Sequence, residues 1–128
     1  MSPSPLERLQ HMRDECETLL RHVVPRGREW YDADPLAHRA VERCLAILGE
    51  AAKHVPETVR TRAALIEWHR ITGMRNRLVH DYLGTNHDLV WSILNRQIPK
   101  LKDDVEGLIA ELEAENSAPP PPSDVPAV

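Results

Sequence analysis

Hydrophobic residues recur at three- and four-residue steps along almost the whole chain, which is the period of an α-helix. Leu6, Leu9, Met12 or Arg13, Cys16, Leu19, Leu20 and Val23 form the first such stripe and predict a helix from about Pro5 to Val24. Pro25-Arg26-Gly27 breaks it, and Trp30 and Tyr31 are expected in the loop that follows. Asp34-Pro35 supplies an N-cap and a first-turn proline for a second helix running to about His54. Its buried face is expected to hold Leu36, Ala40, Val41, Cys44, Leu45, Leu48, Ala52 and Val55. Pro56 ends that helix and opens a short helical piece, Glu57 to Arg62.

A third main helix is predicted from about Glu67 through Tyr82, with Trp68, Ile71, Met74, Leu78 and Val79 turned inward. Gly84-Thr85-Asn86 then reads as a turn, and Asn86 or Asp88 as the cap of a last helix. That helix carries Leu89, Val90, Ile93, Leu94, Ile98, Leu101, Val105, Leu108, Ile109 and Leu112. Pro99 lies inside it and should kink it near residues 95–99. The pattern contains no strand signal and no internal repeat. The predicted fold is all-α, an up-down bundle of four main helices plus the short segment. Residues 1–116 form the helical domain, and residues 117–128 a Pro-rich tail expected to be extended and disordered.

Composition narrows the function. At 128 residues and 41% hydrophobic, the chain supports one core. A formal net charge of -4 argues against a general nucleic-acid coat protein, which would be basic throughout. The charge is uneven, however. Arg60, Arg62, Arg70, Arg75 and Arg77 face only Glu67 within their stretch, while Asp103 to Glu115 holds six acids and no base. A basic centre suits a phosphate ligand; ordinary solvated helix faces are the plainer alternative. Cys16 and Cys44 lie on apolar stripes, outside any C-x-x-C pattern, and read as reduced core residues. No apolar run approaches a membrane span, and Met-Ser-Pro-Ser-Pro lacks a signal-peptide core, so a cytoplasmic protein is expected.

The densest chemistry lies in Arg75-Asn76-Arg77-Leu78-Val79-His80-Asp81-Tyr82, spelled R-N-x-x-x-H-x-Y. Arg stays charged and fits phosphate oxygens with a planar fork. His is the usual carrier of protons at neutral pH. An obligate cation beside such a carrier is the minimum for metal-free attack on a phosphodiester. On a helix, Asn76 and His80 share a side, so the amide can orient the imidazole. Arg75 and Tyr82 also lie on nearly one side, whereas Arg75 and His80 diverge by roughly 140°. That mismatch suits a two-fold dimer bringing copies of both residues to one cleft. Arg77 and Asp81 read as a surface ion pair.

Plainer readings stand beside these. His80 can complement a helix dipole, Arg75 can bridge to Glu50, and Tyr82 can be a core aromatic with a rim hydroxyl. Trp68 and Trp91 are most simply core. The seven His include no H-x-x-x-H or H-E-x-x-H pair, so neither metal nor cofactor is expected.

Three stretches in fixed order carry a resemblance. They are Leu45-Ala-Ile-Leu-Gly-Glu-Ala-Ala-Lys-His-Val-Pro56, Ile66-Glu-Trp-His-Arg-Ile-Thr-Gly-Met-Arg-Asn-Arg-Leu-Val-His-Asp-Tyr82, and Val90-Trp91 with Ile98-Pro99-Lys-Leu101. Together, over about Leu36 to Leu112, the chain resembles the HepT-like branch of the HEPN superfamily. The resemblance implies a dimeric helical bundle, a toxin that cleaves RNA without metal, and a minimal nucleotidyltransferase (MNT) partner as antitoxin. It implies that Arg75 holds the scissile phosphate and that His80 moves the proton. Asn76 would orient His80, Glu50 would support the site, and Tyr82 would receive AMP from the transferase. It allows a second function, a non-catalytic dimeric partner or nucleotide-binding module of the transferase. Glu67 stands where relatives commonly carry Pro, and the polyproline tail is an addition.

Overall fold

The computed structural model describes residues 2–74, 76 and 86–117. Helix α1, Pro5–His22, begins with a capping box in which the Ser4 hydroxyl accepts from the Glu7 amide at 3.1 Å. The Glu7 carboxylate in turn accepts from the Ser4 amide at 3.2 Å, so two otherwise orphaned donors are satisfied together. Leu9, Met12, Cys16 and Leu19 bury the predicted stripe.

The chain then tightens through a 3-10 turn at Val24–Arg26 and reverses at Gly27, whose φ of 87° lies in the left-handed region that favours glycine. Here the structure corrects the expected loop. Trp30 and Tyr31 belong to a seven-residue helix α2, Gly27–Ala33, and Tyr31 is buried in the core. An i,i+4 ion pair from Arg28 to Asp32 at 2.8 Å supports this short element.

Helix α3, Pro35–Lys53, starts as predicted, with the Asp34 carboxylate accepting from the Leu36 amide at 2.9 Å. Its buried face is shifted at the first turn. Leu36 is 69% exposed and Ala40 is exposed, while Ala37 points inward, in step with Val41, Leu45 and Leu48. Helix α4, Glu57–Arg60, runs into a 3-10 turn at Thr61–Ala63. The Arg60 guanidinium folds back onto α3 and donates to the carbonyls of Ala52, Lys53 and Val55, each at 2.9 Å. It thereby satisfies acceptors that the helix end leaves open.

Helix α5, Trp68–Thr72, buries Trp68 and Ile71, and Gly73 closes it by donating to the carbonyls of His69 and Ile71. Met74 beyond it is buried. The rest of the predicted third helix, with Arg75, Leu78 and Val79, lies outside the described residues, as do Arg77, Asp81 and the turn at Gly84 and Thr85. Helix α6, His87–Ser92, is capped by the Asn86 side chain, which accepts from the Leu89 amide at 3.1 Å. The disturbance expected near Pro99 takes the form of a π turn, Ile93–Gln97, where the Ile98 amide donates to the Ile93 carbonyl. Pro99 offers no amide and crowds the carbonyl four residues back, and the wider turn relieves both problems.

Helix α7, Ile98–Ser117, packs against α1, and α1 packs against α3. α3 in turn carries α2 and α5. One core runs through all of these elements, and the described residues contain no strand. Both cysteines are free thiols, with Cys16 buried and Cys44 half-buried. The tail from residue 118 lies outside the described residues.

Candidate functional site

Two helices with opposite duties build a polar groove beside the start of the motif. α3 turns Leu48, Ala51 and Ala52 into the core, and this leaves Glu50 and Lys53 on the adjoining face. α5 turns Trp68 and Ile71 inward, so His69, Thr72, Gly73 and Asn76 fall three, four and seven residues apart on its other side. Where the two polar stripes face each other they enclose an open groove of about 660 Å³, lined by Gly49, Glu50, Lys53, His69, Arg70, Thr72, Gly73 and Asn76.

The groove holds two fixed cations and one carboxylate, plus an imidazole. Arg70 reaches Glu67 at 2.9 Å, an exposed i,i+3 pair, and the Glu50 carboxylate lies 3.1 Å from His54 Nε2. Lys53 has no acidic partner among the described residues. Such an arrangement can hold an anion and position it with polar groups, since exposed cations keep most of their charge available to a ligand.

Of the residues expected at the site, Glu50 and Asn76 share this groove. Arg75, His80 and Tyr82 lie outside the described residues. Of the expected basic centre, Arg60 is committed to carbonyls at the end of α3, Arg62 reaches Glu115 at 2.8 Å and Glu111 at 3.5 Å, and Arg75 and Arg77 lie outside the described residues. The basic and acidic stretches, far apart in sequence, are partly each other's partners. Glu115 is also the main reason the Arg62 pKa is raised. The pattern alone did not single out Lys53, His69 or Arg70 for the groove. The spacing of His69, Gly73 and Asn76 was the available signal.

A second polar cluster went unread for the same reason. The Tyr31 hydroxyl lies 3.0 Å from His87 Nδ1, His38 stacks on His87 with ring centroids 4.2 Å apart, and Trp91 lies against Tyr31 at 5.4 Å. Burial pushes the Tyr31 phenol up to about 12, with Glu42 and Asp32 adding to the effect. Arg28 also reaches Asp88 at 2.6 Å. Together these contacts tie α2 and α3 to the start of α6, directly after residues 77–85. Among the described residues, no group of three or more His, Cys, Asp or Glu side chains is placed to hold a metal ion. Nor is any described helix long and apolar enough to cross a membrane.

Comparison with known proteins converges on one family. The family described as ribonuclease HepT-like matches residues 12–108. A protein of Caldanaerobacter subterraneus subsp. tengcongensis, provisionally named an RNase, is 35% identical over 106 residues, covering 83% of this chain and 95% of its own length. A provisionally named RNase of Methanocaldococcus jannaschii is 38% identical over 74 residues, or 58% of this chain and 64% of that protein. A protein of Thermococcus cleftensis, provisionally named ribonuclease HepT, is 36% identical over 69 residues, or 54% of this chain and 63% of that protein. No solved structure matches.

Proposed function

This chain belongs to the HepT-like ribonuclease family, and from that premise we propose that it is the toxin of a HEPN/MNT pair, a cytoplasmic endoribonuclease that works without metal. Arg75 binds the scissile phosphate and stabilises the charge that builds on it in the transition state. His80 takes the proton from the ribose 2'-hydroxyl or delivers one to the leaving oxygen. The 2'-oxygen bonds to phosphorus as the bond to the 5'-oxygen breaks, leaving a cyclic phosphate and a free 5'-hydroxyl. Asn76 orients His80 and Glu50 supports the site from α3. The observation that carries the reading is that Asn76 and Glu50, far apart in sequence, line one anion-suited groove, and Arg75 is the chain neighbour of Asn76.

Control runs through Tyr82. Its phenol attacks the α-phosphate of ATP on the partner nucleotidyltransferase, forming a tyrosyl-AMP diester and releasing pyrophosphate. The new negative charge competes with RNA for Arg75. The active form is a homodimer, which resolves the angular mismatch between Arg75 and His80.

Expression in a host lacking the transferase tests this. Wild type should arrest growth, while Arg75→Ala and His80→Ala should not, at equal soluble yield. Co-expression with the transferase should restore growth and add the mass of one or more AMP units, lost in Tyr82→Phe. Arrest by His80→Ala would remove the imidazole from its role. A harmless wild type would favour the second reading, a dimeric, nucleotide-binding partner module of the transferase.

A further inference from the structure

We infer that the face formed by Lys53, His69 and Arg70 is a binding track for the phosphates of single-stranded RNA beside the scissile one. The inference takes its ligand from the ribonuclease reading, but it concerns residues to which that reading gives no task. Three observations carry it. The groove is lined by Asn76, the chain neighbour of Arg75, and by Glu50, both residues of the proposed site. Lys53 is a fixed cation with no acidic partner among the described residues, and Arg70 is held only by an exposed pair with Glu67. The remaining lining residues Gly49, Thr72 and Gly73 are small, leaving a trough open enough for a sugar-phosphate backbone.

The geometry also sets the kind of recognition. Ammonium and guanidinium groups read phosphate charge, which positions a strand without choosing its sequence. On this chain, net acidic at -4, such a local track confines RNA to one face. Lys53 and Arg70 therefore govern affinity and its salt dependence across sequences alike, leaving the proton transfer to His80.

Binding of a fluorescein-labelled, fully 2'-O-methylated RNA strand, which offers no attacking hydroxyl, isolates the track from catalysis. The anisotropy-derived affinity is followed against salt for wild type, for Lys53→Gln/Arg70→Gln, and for a charge-matched control, Arg13→Gln/Arg21→Gln on α1. Each lost phosphate contact lowers the slope of log affinity against log salt by about 0.7 for a single strand. The groove variant should therefore lose about 1.4 in slope by the same counting, equally for two unrelated sequences, while the control keeps the wild-type slope. An unchanged slope, an equal loss in the control, or no binding by wild type overturns the inference. So does a groove variant that keeps its RNA slope yet no longer binds the nucleotidyltransferase, which would assign the face to the protein partner. Wild-type binding with the expected slopes but no cleavage of unmodified RNA upholds the track and defeats the ribonuclease reading instead.

Discussion

Arg60, Arg62 and Arg70 are close in sequence and alike in charge, yet each meets a different environment. Arg60 is taken up by helix-end carbonyls, Arg62 by Glu111 and Glu115, and Arg70 keeps an exposed partner beside a groove. A count of charges along the sequence treats them as one basic patch, and only their partners separate them. Cysteines show the same dependence on surroundings. Burial raises the Cys16 thiol from 9.0 to about 12, with Glu15 adding to the effect. Cys44 is pushed up to about 12 as well, again chiefly by burial, with Glu15 contributing. Because the folded state favours the neutral thiol, this stabilisation is complete below pH 9 and is lost as pH rises through about 12. The thiolate is the reacting species, so iodoacetamide at about pH 8 should leave Cys16 unmodified in the native protein and label both cysteines in guanidinium. Rapid native labelling of Cys16, read by peptide mass, would show that its burial is wrong.

At the level of helices, the C-terminal end of α3 is a wall of the groove, and Arg60 is what holds that end closed. Arg60→Ala removes three hydrogen bonds to carbonyls and the packing of the guanidinium over Trp68 at 5.7 Å. A loss of about 1–3 kcal/mol in unfolding free energy is expected, measured by urea denaturation. A variant as stable as wild type would mean that water caps these carbonyls equally well. The long helices were legible in the sequence because α1 and α3 combine a sustained apolar stripe with explicit start signals at Ser4-Pro5 and Asp34-Pro35. α2 was not, since seven residues are too few to show a period and Gly27 reads as a breaker. Leu36 misled for a related reason: a large apolar residue in a first turn can stay exposed while the small Ala37 takes the inward place. Pro99 marked the place of the break, while the π turn there had no signal of its own in the sequence. Asn76 was legible from its place four residues before His80, and Glu50 as a possible partner of Arg75 and through the resemblance. Lys53 and His69 were missed, and Arg70 was read only as part of a basic stretch, because a polar stripe reads as a solvated face until a second helix is seen opposite it.

For the whole molecule, one small core supports an acidic chain, and the groove between α3 and α5 is a place where an anion meets Lys53 and the exposed Arg70. The contacts of Tyr31, His38 and Trp91 with or around His87 tie α6 to α2 and α3. The motif is therefore framed by structured elements on both flanks. Membership of the HepT-like ribonuclease family, a phosphate-suited groove and the Arg75/His80 pair in the sequence motivate the proposal of metal-free attack by a substrate hydroxyl. The most direct test incubates the purified protein with RNA in EDTA, beside the same strand fully 2'-O-methylated, and examines the products by mass spectrometry. The account predicts cleavage of the unmodified strand alone, with cyclic phosphate ends, and none by His80→Ala. Cleavage of the methylated strand, undiminished cleavage by His80→Ala, or no cleavage by wild type would contradict it.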